Sequence, residues 1–283
     1  MFCLNGLKII CVFFLFLRLV IYLKILVFCG DIRQQLLTKM LCEKGYDAKH
    51  IFEETDYEKK IRECDVLVLP YPASRDGETI YNALDDFHPT VYDINRIITT
   101  QKVLCGGNLQ IKNLTDFSKS DYLTFLNAVP TAEGAVAAAV DNTDITLRGS
   151  DCLIIGNGKI GKILSRLLYA FGANVTVASR SEKDDAYVRA FGYKSVKTGK
   201  IKDTAHEYDI VFNTVPHEVL DTETLSCFKK SAVLLELASA PYGFNRDTAD
   251  SLGLHTVFLP SLPAKKSPVT AAEILCNTIT ELL

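Results

Sequence analysis

CLIIGNGKIGKILSRLLYAFGANVTVASRS, residues 152–181 of a 283-residue chain, decides the fold. It opens as an apolar strand, continues with apolar residues at helical spacing, and closes on a second strand, Asn174 to Ser179. Gly156, Gly158 and Gly161 stand where the first strand meets the helix, the context that a GxGxxG turn requires. Gly156 permits the tight turn, Gly158 lets the main chain approach a pyrophosphate, and Gly161 lets helix and strand pack closely. Asn157, Lys159 and Ile160 complete the turn and the first helical positions, whose free N–H groups and dipole attract an anion. A dinucleotide site is predicted here.

In such sites an acid commonly ends the second strand and binds the adenosine ribose hydroxyls. This chain has Ser179, Arg180 and Ser181 there, a guanidinium flanked by two hydroxyls, which matches a 2′-phosphate. NADP is therefore expected as cofactor, with NAD as the alternative and Glu182 close enough to serve a ribose. The third and fourth strands end in Asn213-Thr214-Val215-Pro216 and Leu237-Ala238-Ser239, which should border the nicotinamide side. His217 follows at once, read as the start of a helix, and is a candidate general base.

Working outward, a second alternation of strands and helices precedes this one. LKILVF from Leu23, CDVLVLPYP from Cys64 and KVLCGGN from Lys102 read as strands, with helical spacing over Asp31 to Gly45 and near Thr90 to Thr100. IKNLTDFSKSDY, residues 111–122, reads as a connection, and Thr131 as the cap of an alanine-rich joining helix. The expected fold class is α/β, with two Rossmann-like domains of parallel sheet and an interdomain cleft. Residues 23–118 form the first domain. Residues 119–283 form the dinucleotide-binding one, with the connecting helix and an amphipathic final helix from Val269.

A net charge of −3 from 31 basic and 34 acidic residues leaves no basic stripe, so nucleic acid is not an expected partner. Nine cysteines lack zinc-like spacing, and Cys105 and Cys152 lie in apolar runs, so they read as reduced, packed thiols with no metal site. Residues 1–22 are strongly apolar, but Arg18 divides them and is costly in hydrocarbon, which disfavours a membrane span. They are read as an upstream mis-start or an interfacial anchor, and the protein as cytoplasmic.

NAVPTAEGA, GNGKIG, ASRS, NTVP, LLELAS and the ending LPSLPAKKSPVTAAEIL together resemble the A subunit of bacterial dipicolinate synthase, over most of the chain from Leu23 onward. The resemblance implies a nicotinamide-dependent oxidoreductase of spore formation, in the mother cell, oxidising dihydrodipicolinate or hydroxytetrahydrodipicolinate to dipicolinate. It implies, as partner, a flavoprotein-like B subunit; a homo-oligomer is also expected. The family's Gly-Leu-Pro-Gly turn stands here as Ser261-Leu262-Pro263-Ala264, without either glycine.

A dicarboxylate substrate calls for cations and donors at the strand ends. Arg75 is the leading clamp, followed by Lys265, with Ser74, Gly107, Asn108, Thr131 and Ser239 as further substrate-binding candidates. Glu133 joins His217 as a candidate base. Two other readings are an NADP-dependent dehydrogenase of the shikimate-dehydrogenase type and a non-catalytic dinucleotide-binding subunit.

Overall fold

The computed structural model describes residues 23–107 and 109–283, so the apolar extension 1–22 and Asn108 lie outside the described residues. The described chain forms two compact α/β units, residues 23–124 with Pro268–Leu283, and Phe125–Ser267.

In the first unit, β1 (Lys24–Phe28), β2 (Asp47–Ile51), β3 (Val66–Val68), β4 (Lys102–Cys105) and β5 (Leu114–Asp116) pair in parallel, in the order β2-β1-β3-β4-β5. The helices are α1 (Ile32–Glu43), α2 (Tyr57–Glu63) and α3 (Val91–Ile97). Asp31 caps α1 in a reciprocal box with Gln34, and Gly45, at φ +92°, ends it, because a left-handed residue without Cβ turns the chain cheaply there. β2 was not legible as an apolar run. DAKHI is an edge strand that buries only Ala48 and Ile51 on its way past β1.

Two expectations are corrected here. The stretch 111–122 is more than a connection, since Leu114–Asp116 pairs with Val103–Cys105 as the other edge of the sheet. Its three half-buried residues give no hydrophobic signal. The final helix, α11 (Pro268–Thr280), belongs to the first unit and not with residues 119–267, and the division falls at 124/125. The physical reason is its apolar face. Ile274, Leu275 and Ile279 share a core with Ile25 and Val27 of β1 and Leu37 and Leu41 of α1.

α4 (Asp121–Asp141) also departs from expectation, starting ten residues before Thr131. Thr131 is therefore no cap, and its hydroxyl donates to Asn127 O one turn back at 2.8 Å. Pro130 sits inside the helix, where it forgoes one ladder hydrogen bond. The small residues do allow close packing, since a Cβ on Gly134 would lie 3.1 Å from Leu262. This helix is long and apolar enough to cross a membrane, but Ala132, Ala135, Val136, Ala138 and Ala139 are buried in protein core.

The second unit holds β6 (Asp151–Ile155), α5 (Lys159–Ala170), β7 (Asn174–Ser179), α6 (Glu182–Ala190) and β8 (Lys194–Lys197). There follow α7 (Ile201–Thr204), β9 (Ile210–Asn213), α8 (Thr222–Ser226), β10 (Val233–Glu236), α9 (Arg246–Ser251), β11 (His255–Phe258) and α10 (Leu262–Lys266). The sheet is parallel throughout, in the order β11-β10-β9-β6-β7-β8, which is the doubly wound Rossmann arrangement with its reversal between β6 and β9. Both units are thus Rossmann-like. Cys105 and Cys152 are fully buried, which pushes their thiols up to about 12 and 11 and leaves them as unreactive packing.

Candidate functional site

The three glycines between β6 and α5 do three different things. Gly156 has φ +102°, and a Cβ there would fall 2.6 Å from Thr214 Oγ1 and 2.8 Å from Val215 Cγ2. Gly161 lies under Gly156, so that a Cβ would sit 2.0 Å from the Gly156 carbonyl oxygen. Gly158 begins α5 with ordinary backbone angles, and no heavy atom of the described residues lies within 4 Å of its Cβ direction. An open space over a helix N-terminus is what a pyrophosphate needs. Ile160 is half-buried in the first turn, and Lys159 holds its ammonium 4.7 Å over the Phe125 ring.

At the end of β7, Ser179 is 4% exposed, and its Oγ has no hydrogen-bond partner among the described residues. An orphaned hydroxyl beside the glycine turn fits a ligand group. Arg180 is exposed. Ser181 differs from the expected free donor, because it caps α6. It accepts from Asp184 N at 3.0 Å and donates to Asp184 Oδ2 at 2.6 Å. Asp184 also accepts from Asn157 Nδ2 at 3.0 Å, which joins the glycine turn to α6. The SEKD spacing at 181–184 signals the cap but not the long-range bond.

Where β9 and β10 end, the side chains bond to one another. Asn213 and Glu236 are each 1% exposed. Asn213 Nδ2 donates to Glu236 Oε1 at 2.7 Å and to Val215 O at 2.9 Å, and Asn213 Oδ1 accepts from Val215 N. Glu236 accepts further from Ala238 N and Gly243 N, each at 2.9 Å. Thr214 donates both N–H and Oγ1–H to Ile155 O, closing the reversal between β6 and β9. Asn213 and Thr214 are thus bonded to the chain itself, while Val215 and Ala238 are half-buried and Pro216 and Ser239 exposed. Glu236 and Gly243 were not singled out from sequence, and the one available signal was an acid inside AVLLELAS.

His217 is exposed in the loop before α8, not at a helix start as expected, because that helix begins only at Thr222. Glu133 is exposed in the middle of α4. With Val136, Ala137, Val140, Leu167 and Phe171 it lines a largely apolar hollow of about 500 Å³. Lys265 is exposed on α10.

In the first unit Arg75 is exposed in the loop after β3, its guanidinium 4.3 Å from the Tyr81 ring centroid. Two expected donors are already engaged. Ser74 Oγ donates to Asp76 Oδ1, and Gly107 N donates to Asp116 Oδ1. Arg33, in the first turn of α1, is buried in a two-pronged pair with Asp31 and donates to Tyr71 O at 2.6 Å. That pair ties the first turn of α1 to the loop after β3 and neutralises the Arg33 charge.

Residues 130–249 match the family described as D-isomer specific 2-hydroxyacid dehydrogenase, NAD binding domain. Fold, glycine turn and this match define the class, an NAD(P)-dependent oxidoreductase with two Rossmann-like domains. The resemblance to the A subunit of dipicolinate synthase is borne out. The chain is 29% identical to that protein of Bacillus subtilis (strain 168) over 285 residues, covering 92% of this chain and 96% of that protein. The crystal structure of dipicolinate synthase, A chain, from Bacillus subtilis superposes with a TM-score of 0.78 at 26% identity, covering 92% of this chain and 95% of that one. The crystal structure of the corresponding Bacillus halodurans protein gives a TM-score of 0.80 at 21% identity, covering 92% of this chain and 97% of that one.

Proposed function

We propose that the protein oxidises dihydrodipicolinate, or hydroxytetrahydrodipicolinate after loss of water, to dipicolinate during spore formation, with NADP as the preferred acceptor. The observation that carries this reading is the similarity, along 92% of the chain, to the A subunit of dipicolinate synthase. Making the ring aromatic removes one hydride and one proton. The nicotinamide ring, when bound, accepts the hydride.

The chain's own residues bind, orient and take the proton. Gly158 and the first N–H groups of α5 would hold the pyrophosphate. Ser179 and Arg180 would meet the adenosine ribose end, and Val215, Pro216 and Ala238 would border the nicotinamide. Arg75 is the cation offered to a substrate carboxylate, with Lys265 as the alternative. Glu133 and His217 are the candidates for the proton, and both are exposed. The reading includes a cytoplasmic, mother-cell location, a homo-oligomer, and partnership with a flavoprotein-like B subunit.

The test is turnover of dihydrodipicolinate with NADP, followed by NADPH absorbance, with and without the B subunit. Dipicolinate formation is expected. Retained NADP binding with no turnover in either case would favour the non-catalytic reading.

A further inference from the structure

Between the glycine turn and the end of β7 the chain carries a carboxylate that the sequence motif does not foresee. Asp184 is half-buried in the first turn of α6, and its two oxygens are held from two directions. Asn157, the residue between the first two glycines, donates to Oδ1 at 3.0 Å, and Ser181 donates to Oδ2 at 2.6 Å. β6 and β7 are neighbours, with Gly156 N bonded to Ala178 O, so Asn157 and the end of β7 are adjacent. A dinucleotide seated on this turn places its adenosine ribose between those two segments. The orphaned Ser179 hydroxyl, buried at the end of β7, is an independent sign that a polar ligand group completes this corner.

We infer that Asp184 is the acid that reads the adenosine ribose in this protein, displaced from the strand end into the first turn of α6 and oriented by Asn157. The inference rests on the dinucleotide reading of the site. A carboxylate here accepts hydrogen bonds from ribose 2′ and 3′ hydroxyls, and it repels a 2′-phosphate. It also holds Ser181, one of the donors a phosphate would use, so a phosphate has to displace it. Arg180 and Lys183 act in the opposite sense. Cofactor choice is thus a contest within residues 179–184, in which Asp184 opposes NADP and Arg180 favours it. Hydrogen bonding from Ser181 keeps the Asp184 carboxyl below the usual range against the effect of burial, with help from Asn157 and from Lys162 and Lys183. The charge is therefore present at neutral pH.

The experiment is calorimetric titration of the full chain and of Asp184→Asn with NADPH and NADH, with Asp184→Ser as second variant and thermal melting as the control for folding. Both variants should raise the NADPH-to-NADH affinity ratio by about tenfold, through tighter NADPH and weaker NADH binding. A ratio within about twofold of the parent's in both folded variants overturns the assignment. Failure of the unaltered chain to bind either dinucleotide overturns the site reading, and this inference with it.

Discussion

Asn213 Nδ2 donates to Glu236 Oε1 at 2.7 Å, tying the end of β9 to the end of β10 beneath the segments that border the proposed nicotinamide position. A Cβ on Gly243 would lie 2.2 Å from that same Asn213 nitrogen, so the loop after β10 closes directly over the pair.

Glu236 should give the protein a pH-dependent stability. Burial, the largest influence, raises its carboxyl above the ordinary range, against donors from Gly243, Asn213 and Ala238. The folded state then holds the proton more tightly than the unfolded state. That contribution is full below the ordinary glutamate pKa and is lost as pH rises through the folded value. Urea unfolding from about pH 4 to about pH 7 should show the parent losing stability relative to Glu236→Gln. A constant difference would contradict the assignment.

The second and third glycines should separate folding from binding. Gly161→Ala drives a methyl into the Gly156 carbonyl and should cost about 2–3 kcal/mol of stability. Gly158→Ala meets nothing in the described chain and should cost under about 1 kcal/mol while weakening dinucleotide binding at least tenfold, roughly, by excluding the pyrophosphate. Melting curves and calorimetry on both variants check this. Equal loss of stability in the two would refute it.

Arg180→Asp should level or reverse the proposed preference for NADPH over NADH. Because Arg180 is exposed, solvent screening limits the expected loss to about 1–2 kcal/mol of NADPH affinity. Equal affinity of the unaltered protein for both cofactors would remove the basis for NADP.

Arg75→Ala should weaken dipicolinate binding by about 1–2 kcal/mol and leave NADPH affinity unchanged, since the guanidinium lies in the first unit and the glycine turn in the second. Unaltered dipicolinate affinity would pass the role of clamp to Lys265.

Ser261 is left-handed, at φ +60°, immediately before α10. A Cβ in that conformation costs about 1 kcal/mol, so Ser261→Gly should stabilise the fold by that amount in denaturant titration. A lower midpoint for the variant would show that the serine side chain contributes more than the strain removes.

The parts of this protein legible in its sequence are those governed by neighbours along the chain. The glycine turn, the apolar strands of both sheets and the start and end of α1 all follow from hydrophobic period, φ requirements and caps acting within a few residues. Tertiary structure decided everything that depends on which distant segment arrives alongside. β2 and β5 became strands because they pair with β1 and β4, although neither has a full apolar run. α11 joined the first unit because its apolar face matches that of α1 and β1, a complementarity with no local marker. Asn157 met Asp184 across 27 residues, and Asn213 met Glu236 across 23, because parallel strands bring their carboxyl ends together in sheet order and not in chain order. Composition could nominate Arg180 and Ser181 as phosphate ligands. Only the folded turn of α6 showed the serine already bonded to an acid.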